Sequence, residues 1–162
     1  MKTIKLIIFC VVVATKLAAQ PFNLDKKIKP VEIKLHPFKR DSLTKGKLGI
    51  VQVEQKQDTA YYFCKGMGIF NSTAVTVSAK NTKEILQVSL HKWNWKTQSR
   101  KGKTNDKGVF TENFFTQGDF GIRIIAPNRP AIYNVIVWAA DDTKLTIPTT
   151  FKENTSTKAK KK

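Results

Sequence analysis

The sequence predicts an all-β fold, an antiparallel β-sandwich or jelly roll of about eight strands with basic extensions at both ends. Three observations carry this. From Lys47 on, short segments rich in β-branched and aromatic residues recur at close spacing. Several alternate, most clearly Val75-Thr76-Val77, Leu86-Gln87-Val88-Ser89-Leu90 and Phe120-Gly121-Ile122-Arg123-Ile124. A period of two sends one set of side chains to the core and the other to solvent. The breaks are turn-formers: Lys65-Gly66-Met67-Gly68, Asn81-Thr82-Lys83, Gln117-Gly118-Asp119 and Pro127-Asn128-Arg129-Pro130. No stretch holds a helical stripe over three turns. A six-stranded barrel is the competing closure of the same pattern.

In chain order, residues 1–19 read as a secretory signal peptide. Lys2 and Lys5 give a positive start, Leu6 to Thr15 an apolar stretch, and Leu17-Ala18-Ala19 a small-residue exit. Cleavage is placed between Ala19 and Gln20. Cys10 lies inside the apolar stretch behind Phe9, the wrong place and neighbour for a lipid anchor. Residues 20–46 form a basic extension with Pro21, Pro30 and Pro37, in which Val31, Ile33 and Leu35 alternate as one edge strand. The sandwich domain spans 47–148, with strands at Leu48–Val53, Thr59–Cys64, Thr73–Ala79, Ile85–Leu90, Val109–Phe115, Phe120–Ile125, Ala131–Ala139 and Lys144–Ile147. The polar, basic stretch Lys96–Lys107 between two of them reads as a long, mobile hairpin loop. Residues 149–162, ending Lys158-Ala159-Lys160-Lys161-Lys162, read as a disordered Lys-rich tail.

The 162 residues fit one domain with tails, and 41% hydrophobic content supports a real core. Six prolines and eight glycines exclude a collagen-like chain. After the first twenty residues no apolar run approaches the ~20 needed for a membrane-spanning helix, so none is expected in the mature chain. The chain carries 29 Lys+Arg against 12 Asp+Glu. Removing residues 1–19 deletes Lys2, Lys5 and Lys16 and takes the formal charge from +17 to +14. It also deletes Cys10, so Cys64 has no partner for an internal disulfide. In Tyr61-Tyr62-Phe63-Cys64 it reads as a small buried hydrophobe rather than a reactive thiol.

Catalytic signals are lacking. His36 and His91 are the only histidines, neither with a recognisable partner spacing, and there is no G-x-S-x-G elbow. Lys101-Gly102-Lys103-Thr104 resembles the end of a phosphate-binding loop, but its first glycine position holds Thr97. Two distant histidines cannot make a zinc site. Asp141 and Asp142 stand without the surrounding oxygens calcium needs. Paired carboxylates for glycoside cleavage are a poor bet among twelve scattered acids. The expectation is a non-enzyme without cofactor or metal.

Binding is better supported. His91-Lys92-Trp93-Asn94-Trp95-Lys96 alternates aromatic with basic or polar residues and runs into the basic stretch. On a strand, Trp93 and Trp95 share one face, with Lys92, Asn94 and Lys96 opposite. That pair reads either as a platform for sugar rings or a protein partner, or as two core residues with the lysines outside. The candidate partner- or glycan-binding residues are Trp93, Trp95, Lys92, Lys96, Arg100, Lys101, Lys103 and Lys107. The net charge attracts phosphorylated lipid heads, acidic polysaccharide or an acidic protein. Nucleic acid would use the same residues, but an exported protein is not expected to meet it.

Residues 59–142 resemble the bacterial pre-peptidase C-terminal type of β-sandwich. The resemblance rests on the aromatic strand Tyr61-Tyr62-Phe63, the Val-rich and Leu-x-Val-x-Leu strands, Gly118-Asp119-Phe120-Gly121-Ile122 and Tyr133-Asn134-Val135-Ile136-Val137. It implies a non-catalytic accessory module. No peptidase domain is attached, and the acidic loop residues some members use for calcium are missing. The Ala-Gln junction and the Lys/Asn/Phe/Ile-rich usage resemble exported proteins of Bacteroidota, whose O-glycosylation tripeptides Asp41-Ser42-Leu43 and Asp58-Thr59-Ala60 match. The expected function is that of a non-catalytic accessory protein docking through its β-sandwich and basic extensions on a larger cell-envelope (outer-membrane) protein complex, in the periplasm, associated with the outer membrane or at the cell surface. The alternative is a carbohydrate- or lipopolysaccharide-binding module using Trp93, Trp95 and the basic loop 96–107.

Overall fold

Alternating apolar residues pair into ten strands in a computed structural model that describes residues 22–23, 25, 27–39, 45–68 and 71–141. In chain order these are β1 (Val31–Glu32), β2 (His36–Lys39), β3 (Lys45–Gln55), β4 (Thr59–Met67), β5 (Ser72–Ala79), β6 (Gln87–His91), β7 (Arg100–Lys103), β8 (Val109–Phe115), β9 (Gly118–Ile125) and β10 (Ala131–Ala140). The signal peptide at 1–19, the strand expected at Lys144–Ile147 and the tail at 149–162 lie outside the described residues. Two five-stranded sheets result, the first in order β1-β4-β9-β6-β7 and the second β2-β3-β10-β5-β8. The protein is a β-sandwich, with β1 and β4 its single parallel pair among the described strands. Among the described residues no helix is long and apolar enough to cross a membrane.

The inward set of each sheet is the one its alternation predicts. Val75, Val77, Val135 and Val137 of the second sheet meet Leu90, Phe120, Ile122 and Ile124 of the first, all buried. Phe114 meets Phe120 edge to face at 5.2 Å, tying β8 to β9. Cys64 is fully buried in this core. Burial, with the nearby charge of Glu32, pushes its thiol up to about 12, so little thiolate exists near neutral pH.

Both edges of the sandwich are crossed by chain, at one where the sequence predicts a single edge strand and at the other where it predicts a long, mobile hairpin loop. In place of one edge strand over Val31, Ile33 and Leu35, the structure has two. β1 borders the first sheet and β2 the second, with Ile33 buried between them and its amide donating to Phe63 O at 2.8 Å. At the other edge, Lys96–Lys107 contains β7, which pairs antiparallel with β6. The chain then crosses to β8 through Thr104, whose buried hydroxyl donates to Glu84 O at 2.9 Å and accepts from the Leu86 amide at 2.9 Å. Gly102 permits this closure, because a Cβ there would stand 2.5 Å from Cε2 of Phe110. Lysines along such an edge deter pairing with another chain. The Thr104 crossing also moves the strand predicted at Ile85–Leu90 to Gln87–His91, leaving Ile85 exposed.

Candidate functional site on two outward sheet faces

Register fixes which side chains look outward on the first sheet. One row runs Tyr61–Arg123–Ser89–Lys101, and beside it run Thr59–Ile125–Gln87–Lys103 and Phe63–Gly121–His91. The third row is covered. Phe22 and Trp95 pack on Phe63 to form a small second core, with Phe22–Trp95 and Tyr61–Trp95 centroids both 5.0 Å apart. Gly121 makes room, since a Cβ there would lie 2.5 Å from the Trp95 ring. The Asn23 amide donates to Trp93 O at 2.8 Å, joining the N-terminal segment to the loop after β6.

The Arg123–Ser89–Lys101 and Ile125–Gln87–Lys103 stretches of the other two rows form an open groove of 370 Å³, which Tyr61, packed on Trp95, does not line. Its polar lining is Lys101, Lys103, Arg123, Gln87, Ser89 and Gln98, its outward apolar side chain is Ile125, and no carboxylate lines it. Arg123 is not free to wander. Its Nε donates to Ser89 Oγ at 3.2 Å, and Ser89 Oγ lies 3.0 Å from His91 Nε2. His91 Nδ1 lies 3.1 Å from Thr97 O, which can only accept. Nδ1 therefore carries the imidazole proton, Nε2 accepts from the Ser89 hydroxyl, and that hydroxyl accepts from Arg123. Burial first, then the charge of Arg123, holds His91 below its ordinary pKa against the opposing effect of its backbone hydrogen bonds. A neutral His91 thus fixes the near side of the Arg123 guanidinium and leaves its Nη end unused by this network.

The outward face of the second sheet is of a different kind. One row reads His36–Leu48–Trp138–Ala74–Asn113 and the next Ile50–Ile136–Thr76–Thr111. Ile50 is 59% exposed and Phe38 44%, and Phe38 meets Trp138 edge to face at 6.0 Å. Among the described outward strand positions of this sheet, Glu54 is the one Asp, Glu, Lys or Arg, and it pairs with Lys56 at 3.7 Å.

The candidate residues divide between these surfaces and elsewhere. Lys101 and Lys103 line the groove. Trp93 and Trp95 do not share a face: Trp93 is 59% exposed and Trp95 6%. The strand ends at His91 because Asn94 Oδ1 accepts from the amides of Lys96 (2.9 Å) and Thr97 (2.8 Å), a side-chain-closed turn. This corrects the strand reading of Trp93 and Trp95: a two-ring platform is not formed, and Trp95 is structural. Lys92 and Lys96 sit on that turn and do not line the groove. Arg100 points to the other sheet and pairs with Glu112 at 3.2 Å. Lys107 is exposed in the β7–β8 crossing, its amide donating to Asn105 Oδ1 at 3.0 Å. Sequence reasoning missed Arg123, Ser89, Gln87 and Gln98. Arg123 and Ser89 were visible as the polar members of two alternating strands, but their adjacency depends on β6–β9 register.

No protein-family model matches the chain, and comparison with curated proteins finds no relative. Among solved structures, it is similar to the pre-peptidase C-terminal domain of a Bacillus anthracis collagenase, with TM-score 0.49 and 13% identity over 70% of this chain and 99% of that one. It is also similar to PliG of Aeromonas hydrophila, a periplasmic inhibitor of g-type lysozyme, with TM-score 0.36 and 10% identity over 68% of this chain and 97% of that one. A third is the Schizosaccharomyces pombe Cnp3 cupin domain, with TM-score 0.34 and 12% identity over 74% of this chain and 64% of that one. These are likenesses of β-rich shape at low identity, and what those proteins bind is said of them alone.

Proposed function

We propose that the protein is a non-catalytic, exported accessory module that docks on a larger cell-envelope protein complex through the outward face of the second sheet. One observation carries the reading. In a chain of formal charge +17, this face presents Phe38, Leu48, Ile50, Ile136 and Trp138 among uncharged Thr, Ala and Asn. Covering such a face removes apolar area from water without stripping water from unpaired charges, and aromatic side chains are common anchors of protein interfaces. The non-catalytic part rests on the sequence, which offers no recognisable nucleophile–base motif. The export part rests on the sequence of residues 1–19.

The test is co-purification from gently solubilised envelope with wild-type protein and with Ile50→Lys/Ile136→Lys. The wild type should retain one defined complex through a high-salt wash, because apolar contacts are not screened, and the variant should lose it. Retention by the variant, or loss of the wild-type complex as salt rises, would overturn the reading.

A further inference from the structure

We infer that the groove on the first sheet is a binding site for an acidic oligosaccharide, with Arg123 gripping one acidic group and Lys101 and Lys103 the others. The site is separate from the docking face and stands or falls without it.

The arrangement of cations favours a chain of acidic groups over a single anion. Lys101 and Lys103 are two residues apart on β7, about 7 Å, and Arg123 lies two strands away, about 10 Å. Drawing all three onto one anion would crowd like charges together, whereas acidic groups repeated along a chain can meet each cation where its strand places it. Arg123 has its Nε tied to Ser89, so its Nη end is preset for the two-pronged contact that guanidinium makes with oxyanions. Gln87 and Gln98 bring amides that both donate and accept, matching sugar hydroxyls. Ile125, half-buried on the outward face, provides apolar surface for the C–H face of a sugar ring. A volume of 370 Å³ falls within the roughly 300–1,000 Å³ of small-ligand sites. Single-stranded nucleic acid is disfavoured because no aromatic ring lines the groove to stack a base.

Calorimetry with purified protein would use oligogalacturonate and its fully methyl-esterified form, which has the same backbone without the charge. The acid form should bind and the ester should not. Lys101→Gln/Lys103→Gln, on an exposed edge strand, should weaken binding at least about tenfold, as should Arg123→Gln. Lys80→Gln/Lys83→Gln removes the same charge from exposed positions outside the groove and should change affinity by no more than about twofold. An equal loss in the two lysine doubles would mean diffuse attraction and overturn the site. Absence of binding to the acid form, or binding of the ester as tightly, would overturn it too. Tighter groove-dependent binding of a single-stranded oligonucleotide would replace the sugar assignment with nucleic acid.

Discussion

The hydroxyls of Tyr62 and Tyr133 meet at 2.8 Å in the middle of the sandwich, joining β4 of one sheet to β10 of the other. Tyr133 donates in turn to Gln55 Oε1, while Gln55 Nε2 donates to Gln57 O at 2.7 Å and Asp58 O at 3.0 Å. Because Tyr133 spends its proton on Gln55, Tyr62 must donate to Tyr133. Burial raises the pKa of both phenols, so both stay neutral across the usual pH range. Tyr133→Phe strands a buried donor and a buried acceptor, whereas Tyr62→Phe removes one donor from an oxygen that keeps its own bond to Gln55. Urea unfolding should show the loss from Tyr133→Phe at about 2–4 kcal/mol and that from Tyr62→Phe nearer 1 kcal/mol. The reverse order would contradict this donor assignment.

Gly121 lies beneath Trp95, and a methyl group there would sit 2.5 Å from the indole and 3.0 Å from Phe22. Trp95 is hemmed in by Phe22, Tyr61 and His91, so it cannot yield without opening the small core. Gly121→Ala should cost about 1–3 kcal/mol and shift tryptophan emission to the red as the indole meets water. An unshifted spectrum at unchanged stability would show that the ring does not rest there.

His91 gives the fold a pH dependence. Its folded pKa is lowered from the ordinary 6.5 by burial and then by Arg123. Below 6.5 the unfolded chain takes up a proton that the folded protein refuses, so stability present above that pH is lost as pH falls through it toward the depressed folded value. The slope contributed by this group approaches about 1.4 kcal/mol per pH unit at most. In urea titrations at pH values on both sides of 6.5, His91→Asn should lose this part of the slope. Identical slopes in the two proteins would remove His91 as its source.

Ser89 acts on the groove through Arg123, which makes it a positioning residue. Ser89→Ala should weaken oligogalacturonate binding about threefold in the wild type and leave it unchanged in an Arg123→Gln background. Equal losses in both backgrounds would mean that Ser89 contributes independently of the guanidinium.

The sandwich was legible where one parity alone is buried, as in Val75-Thr76-Val77 and Ile122-Arg123-Ile124. Ala131–Ala140 held a further signal that alternation alone does not decode: it is apolar at nearly every position, because one parity fills the core and the other lies on the outward face of the second sheet. β7 was hidden because Arg100-Lys101-Gly102-Lys103 has weak strand propensity and owes its form to pairing with β6 and to the Phe110 ring over Gly102. Trp93 and Trp95 misled for a local reason: one Asn side chain closing a turn between them sends the rings to opposite environments. The pairing of β1 and β2 with opposite sheets could not be read from Val31, Ile33 and Leu35, since the register of an edge segment is set by the strand it meets.

Hydroxyl-radical footprinting of the protein, free and in its captured envelope complex, tests the docking face most directly. Phe38 and Trp138 should lose reactivity in the complex, while Trp93, exposed beyond the other sheet, should react as in the free protein. Protection of Trp93 with Phe38 and Trp138 unchanged would place the contact on the opposite side and contradict the account.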